Sequence, residues 1–324
     1  MEIVHIATAL QDPTNYPCVL ATLVDIDGSS YRRRGARLLW TAAGQRIGSI
    51  SGGCLENDLI ARSQTLLISK STSEVVTYDT TSENDLIWGV GTGCHGIIKL
   101  FLERLDHEPS WVETVLTGLK SRRTSPLFVT WAGNENVSIG TQRTAPAPDA
   151  ATRVLACPIT PSPRVVICGA GDDARPLTEI CRNMGWTTAI VDPRPDMATH
   201  ERFPAADAVR CLPVESTATA IDWDDQTVAV IMTHHYRYDL PLLKTIAPLK
   251  LVYLGLLGPK QRGDRLRKDA NIDENCHLHS PVGLDLGGDG PAAVALSITA
   301  EIQTALHGRL GGSLNHRNRS IHAD

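Results

Sequence analysis

The run Arg164-Val165-Val166-Ile167-Cys168-Gly169-Ala170-Gly171-Asp172-Asp173-Ala174 decides the fold of the second half of this 324-residue chain. Its first five residues are apolar or β-branched with no polar alternation, the pattern of a strand buried on both faces. Gly169, Gly171 and Ala174 then form a GxGxxA turn, where missing side chains let backbone N–H groups at a helix N-terminus approach a phosphate. A helical segment follows to residue 184, and a second strand at 187–191 runs into Asp192, placed to accept a ribose hydroxyl. Strand, glycine turn, helix and strand ending in a carboxylate predict a Rossmann-type dinucleotide fold. Further strands at 228–232 and 251–256, with helices at 240–246, 262–268 and 291–307, continue the alternation toward a parallel sheet.

Read alone, the turn admits two interpretations, a phosphate-bearing ligand or a merely structural tight turn. Asp172 and Asp173 bear on the choice, because two carboxylates beside the turn repel a pyrophosphate unless they cap the helix, bind a cation or bond another ligand group. Thr233-His234-His235 follows a buried strand and so falls at the carboxyl end of the sheet, where open α/β folds bind ligands. Adjacent side chains point in opposite directions, which predicts one ligand-facing and one packing histidine.

Working toward the N-terminus, residues 144–163 hold five prolines and little periodicity, as in a linker between domains. That places an N-terminal domain at 1–143, a Rossmann-type domain at 164–310 and a flexible polar tail at 311–324. The N-terminal domain reads as α+β. Strands are expected at 18–26, 36–41, 46–50, 75–78, 97–102 and 126–131, with helices from near Cys54 to 69 and over 111–120.

Two of its loops are chemically notable. Ser51-Gly52-Gly53-Cys54-Leu55-Glu56 pairs two glycines with a cysteine near the positive end of the expected helix, a setting that favours a thiolate able to bind a soft metal or pass sulfur. The alternative is a cysteine packed beneath that helix. Gly91-Thr92-Gly93-Cys94-His95-Gly96 has the same ambiguity. Arg32, Arg33 and Arg34 lie in the turn of the first hairpin and suit either an anionic ligand or solvent.

Composition excludes several classes. The chain is 42% hydrophobic and 21% charged with a net charge of −5, and it lacks both a long apolar run and an extended basic block. A membrane protein and a nucleic-acid binder are therefore not expected. The opening residues lack a basic region followed by a long apolar stretch, so the expectation is a cytoplasmic chain whose eight single cysteines are thiols.

Taken together, these segments resemble the XdhC/CoxI family, accessory proteins that mature molybdenum hydroxylases. The resemblance rests on Gly28-Ser29-Ser30, Arg33 and Gly35-Ala36-Arg37, on Gly48 to Glu56, and on Gly93-Cys94-His95-Gly96. In the second half it rests on 168–174, 191–195, 202–207, 232–239, 253–266 and 279–302. It implies an α/β protein in which an N-terminal α+β XdhC/CoxI-type domain precedes the Rossmann-type domain. The implied function is that of a chaperone without turnover of its own. Such a protein binds the molybdenum cofactor (molybdopterin), protects it while its sulfido ligand is installed, and delivers it to an apo molybdenum hydroxylase such as xanthine dehydrogenase. A cysteine desulfurase and a second copy of the chain are the further partners implied.

The residues expected to hold the cofactor are Ser51, Gly52, Gly53, Cys54, Glu56 and Cys94 in the first domain, with Cys54 as the molybdenum contact. In the second they are Gly169, Gly171, Asp173, Asp192 and His234, with a nucleotide as an alternative guest at the glycine turn. Two other functions fit the residues alone. One is an NAD(P)-dependent oxidoreductase using Gly169, Gly171 and Asp192, and the other a scaffold that only brings hydroxylase and desulfurase together.

Overall fold

The computed structural model describes residues 2–79, 96–147, 149–273 and 276–316. Two compact units meet in sequence between Pro161 and Ser162, the second running to Ser313.

The first unit opens with helix α1 (Glu2–Leu10), followed by strands β1 (Cys18–Gly28), β2 (Arg37–Thr41) and β3 (Arg46–Gly48). Helix α2 (Glu56–Ile68), strands β4 (Ser73–Asp79) and β5 (Gly96–Leu105) and helix α3 (Trp111–Lys120) come next. Five strands form an antiparallel sheet in the order β3-β2-β1-β5-β4. Strand β1 reads as continuously apolar because both of its faces are covered. Val19, Ala21 and Leu23 pack with Leu59 and Leu66 of α2, whereas Cys18 and Leu20 pack with α1 and α3. That is the period of two expected of alternating side chains. Helix α1 is an addition to the expected elements, although Ile3, Ile6, Ala7 and Leu10 have the i, i+3, i+4, i+7 spacing of an amphipathic helix. Ile6, Ala7 and Leu10 are fully buried, and each large apolar side chain contributes about 1.5–3 kcal/mol of burial.

A smaller sheet completes this unit, with β6 (Phe128–Ala132) between β7 (Gly140–Gln142) and β8 (Arg153–Ala156). Strand β8 falls inside the proline-rich stretch read as a linker. Its four residues 153–156 lie between the prolines and pair antiparallel with β6, so proline density marks the ends of this element rather than the absence of one.

The second unit contains β9 (Arg164–Cys168), α4 (Ala174–Asn183), β10 (Thr187–Asp192), β11 (Ala208–Cys211), α5 (Thr217–Ala220), β12 (Thr227–Ile231) and α6 (Tyr236–Ile246). These are followed by β13 (Leu254–Leu256), α7 (Lys260–Asp269), β14 (Leu278–His279) and α8 (Pro291–Leu306). Its six strands are all parallel, in the order β11-β10-β9-β12-β13-β14. Counted within the unit this is 3-2-1-4-5-6, the doubly wound order of dinucleotide-binding folds. Val165 and Ile167 of β9 pack with α4 and α8, whereas Val166 and Cys168 pack with α6 and α7. Strands β11 and β14 are short and half exposed, which leaves them without an apolar signature. No helix among the described residues is long and apolar enough to cross a membrane.

Candidate functional site

In the second unit the strand order reverses beside β9, so a crevice is expected where β9 and β12 end. The glycine turn leaves β9 there and His234 leaves β12. Gly169 adopts φ +127°, and a Cβ built on it falls 2.6 Å from the Met232 carbonyl oxygen, so this glycine is required by the close passage of the β12 backbone. Gly171 differs, because nothing lies within 4 Å of a Cβ built there. It faces the space in front of the turn.

Both aspartates beside the turn have side-chain partners. Arg202 Nη2 lies 3.0 Å from Asp172 Oδ1, and His234 Nε2 lies 3.1 Å from Asp173 Oδ2. Each carboxylate thus has its own partner. His234 holds φ +60°, a left-handed conformation uncommon for a non-glycine residue, and its side chain is about half exposed. Such strain often accompanies a functional position. His235 is not the packing histidine expected, for it too is exposed and sits edge-on to Tyr238 with ring centroids 5.7 Å apart. The residue that packs inward is Thr233, which donates to Asp239. That buried carboxylate in turn accepts from Arg262.

Asp192 does not present a free carboxylate to a ribose. Its Oδ2 accepts from the Ala170 N–H at 2.7 Å and from Arg194 Nη2 at 2.7 Å, while Oδ1 accepts from Arg194 N at 2.9 Å and Nε at 2.8 Å. Burial opposes its ionisation, but these bonds hold its carboxyl below the ordinary aspartate range. Its immediate role is to fix the backbone of the glycine turn.

In the first unit, Glu56 and Ser51 occupy an equivalent place beneath the other glycine loop. Glu56 is 2% exposed, and its Oε1 accepts from Ser51 N at 2.8 Å, Ser49 Oγ at 2.9 Å and Ile50 N at 3.2 Å. The Ser51 hydroxyl donates to Glu56 Oε2 and accepts from Leu55 N at 3.1 Å and Gly53 N at 3.2 Å. Burial raises the Glu56 pKa, but the hydrogen bonds from Ser51 and Ser49 outweigh it and bring the value down to about 2. What these residues hold up is the exposed trio Gly52, Gly53 and Cys54, with Gly53 at φ +118°. Helix α2 begins at Glu56, so Cys54 precedes the helix rather than sitting in its first turn.

The described thiols separate by burial. Burial pushes Cys18, Cys168 and Cys181 up to about 12, whereas Cys54 and Cys211 are exposed. Cys94 lies outside the described residues, as do residues 91–95 of its glycine loop. Among those described, no group of three or more His, Cys, Asp or Glu is arranged to hold a metal ion.

The surroundings of the first loop are less legible in the sequence. The Tyr31 ring lies 3.9 Å from a Cβ built on Gly52, and behind it Arg32, Arg33, Arg34 and Arg37 line a cavity of about 450 Å³. The run of three arginines is the one local signal of it.

The sequence matches the XdhC Rossmann domain over residues 165–302 and the XdhC and CoxI family over residues 14–79. It is 35% identical over 309 residues to a Bacillus subtilis protein named as a probable xanthine dehydrogenase subunit, covering 88% of this chain and 92% of that one. It is 25% identical over 295 residues to the Escherichia coli molybdenum cofactor insertion chaperone PaoD, covering 88% of this chain and 82% of the other. A crystal structure from Bacillus halodurans described as a xanthine dehydrogenase superimposes with a TM-score of 0.80 at 29% identity, covering 98% of each chain. With similarity spanning both units, the chain belongs to the XdhC and CoxI family.

Proposed function

We propose that this protein binds the molybdenum cofactor as cargo, shields it during maturation and delivers it to an apo molybdenum hydroxylase of the xanthine dehydrogenase type. The observation that carries this reading is the loop at 51–54. Two glycines and a cysteine are presented outward on a backbone pinned from below by a buried carboxylate, the rigid support a binding loop needs. A thiolate is an apt ligand for the metal end of a dithiolene cofactor, and the two glycines allow a flat pterin to approach the backbone. The names of the relatives from Bacillus subtilis and Escherichia coli favour the same role. In this reading the turn at Gly169 and Gly171 receives a phosphate-bearing group, a cysteine desulfurase supplies the sulfido ligand, and the protein works as a homodimer.

The oxidoreductase alternative loses support at Asp192. An NAD-binding carboxylate at the end of the second strand is expected to accept from a ribose hydroxyl, whereas both oxygens here are already bonded within the chain.

The test is co-purification. Produced in cells that make the cofactor, the wild-type protein should retain both molybdenum and pterin and should activate an apo hydroxylase. Cys54→Ala changes an exposed side chain and should shift stability by no more than about 0.5 kcal/mol. It should nevertheless lose most of the bound molybdenum and leave the hydroxylase largely inactive. Wild-type protein that carries neither pterin nor molybdenum would overturn the proposal.

A further inference from the structure

The arginine cavity of the first unit contains an unusual buried charge. Arg37 is 4% exposed, and none of the ion pairs among the described residues includes its guanidinium, although Glu2 Oε1 accepts from its backbone N–H at 3.3 Å and the buried Glu103 lies within electrostatic range. Its Nη1 donates to the Gly35 carbonyl at 3.2 Å and its Nη2 contacts Cys157 Sγ at 2.9 Å, while Nε is buried without a partner. Cys157 does not supply the missing charge, because burial raises its pKa despite Arg37 beside it. Buried cations are ordinarily paired, and a guanidinium that touches no carboxylate and leaves its Nε unbonded suits an anion supplied from outside.

The cavity mouth has the matching charge. Arg32, Arg33 and Arg34 line it together with Arg37, and Glu2 is the one carboxylate among the lining residues. Glu2 Oε2 holds Arg32 Nη2 at 2.9 Å, and Asp25 Oδ1 holds Arg34 Nη2 at 3.0 Å. These half-buried pairs fix the guanidinium groups before a ligand arrives. Four arginines lining one cavity, with Glu2 in its wall and Asp25 paired to Arg34, suit a doubly charged tetrahedral oxyanion, which guanidinium groups bind through paired N–H···O contacts. Tyr31 joins this cavity to the 51–54 loop, since its ring packs over Gly52.

We propose that the cavity lined by Arg32, Arg33, Arg34 and Arg37 is a phosphate-monoester site, and that it receives the phosphate of the pterin whose metal end rests at Cys54. The second half of this statement rests on the function proposed above. With the pterin phosphate assigned here, the glycine turn of the second unit is left for a separate nucleotide.

The experiment compares wild-type protein with the double variant Arg32→Gln/Arg34→Gln, which removes two ion pairs and the Arg34 bond to the Ile26 carbonyl and should unfold within a few degrees of wild type. Binding of inorganic phosphate is read by phosphorus NMR line broadening, and binding of molybdopterin by titration calorimetry. Wild type should bind both ligands, and the double variant should bind each at least about tenfold more weakly. If wild type takes up phosphate in this arginine-dependent way but binds no molybdopterin, the cavity assignment stands and the function proposed above fails. Undiminished binding of both ligands by the folded double variant would overturn the cavity assignment. So would wild type that binds molybdopterin but no phosphate, and in either case the chaperone function would stand.

Discussion

The two glycine loops share one construction and differ in how it is neutralised. Gly52-Gly53-Cys54 stands over Glu56, and Gly169-Ala170-Gly171 stands against Asp192. Both carboxylates are buried, accept backbone N–H bonds from their loop, and are held below their ordinary pKa range. Among the described residues Glu56 is met by hydroxyl and N–H dipoles, whereas Asp192 also receives the bidentate Arg194 guanidinium. A carboxylate near a glycine loop can therefore be a brace and not a ligand contact. The two functions are separable by measuring stability and affinity together.

Removing the braces should produce the largest effects. Glu56→Ala leaves buried N–H groups of Ile50 and Ser51 without an acceptor, at a cost of about 3–4 kcal/mol, and should lower the thermal midpoint by about 10 °C. Asp192→Asn keeps the shape but breaks the pairing with Arg194, and should cost about 2–3 kcal/mol. Scanning calorimetry checks both. Unchanged midpoints with weakened ligand binding would mean that these carboxylates face ligands after all.

A smaller effect distinguishes the two glycines of the second turn. Gly169→Ala places a methyl group against the Met232 carbonyl at a positive φ and should cost about 2–3 kcal/mol. Gly171→Val enters open space and should stay within about 1 kcal/mol of wild type, yet weaken nucleotide binding at least about tenfold. Equal destabilisation by the two substitutions would remove the assignment of Gly171 to ligand approach.

The response to acid tests how Glu56 braces its loop. A carboxyl whose pKa is about 2 in the folded state and about 4.3 unfolded stabilises the fold fully above the unfolded value. That contribution declines as pH falls toward the folded value. The advantage of wild type over Glu56→Gln in urea unfolding should thus be constant above about pH 5 and shrink steadily toward pH 2. An advantage independent of pH across that window would show that hydrogen-bond geometry rather than ionisation supports the loop.

Much of the fold is legible in the chain. The strands at 164–168 and 187–192 and the helix at 111–120 announce themselves because their periodicity is local. The 51–56 and 169–174 loops stand out as candidate sites because glycines bounded by a strand and a helix have few other uses. Strands β8 and β11 are not legible, since short half-exposed strands take their identity from the neighbour they pair with. Helix α1 carries a readable period, but at nine residues it is short enough for that period to be ambiguous. The packing expected of one of the paired histidines fails because His235 precedes α6 at the surface, where neighbouring structure rather than alternation directs a side chain.

By itself, then, the sequence determined the order of most elements, the Rossmann-type character of the second half, the two glycine loops and the family. All of these follow from residues close together in the chain. The tertiary structure alone decided which polar groups are bonded within the chain and which are left exposed. Asp192 meets Ala170 across 22 positions, Arg202 meets Asp172 across 30, and Arg37 meets Cys157 across 120. A buried charge must find its partner wherever the fold brings one, and composition and spacing do not encode that distance.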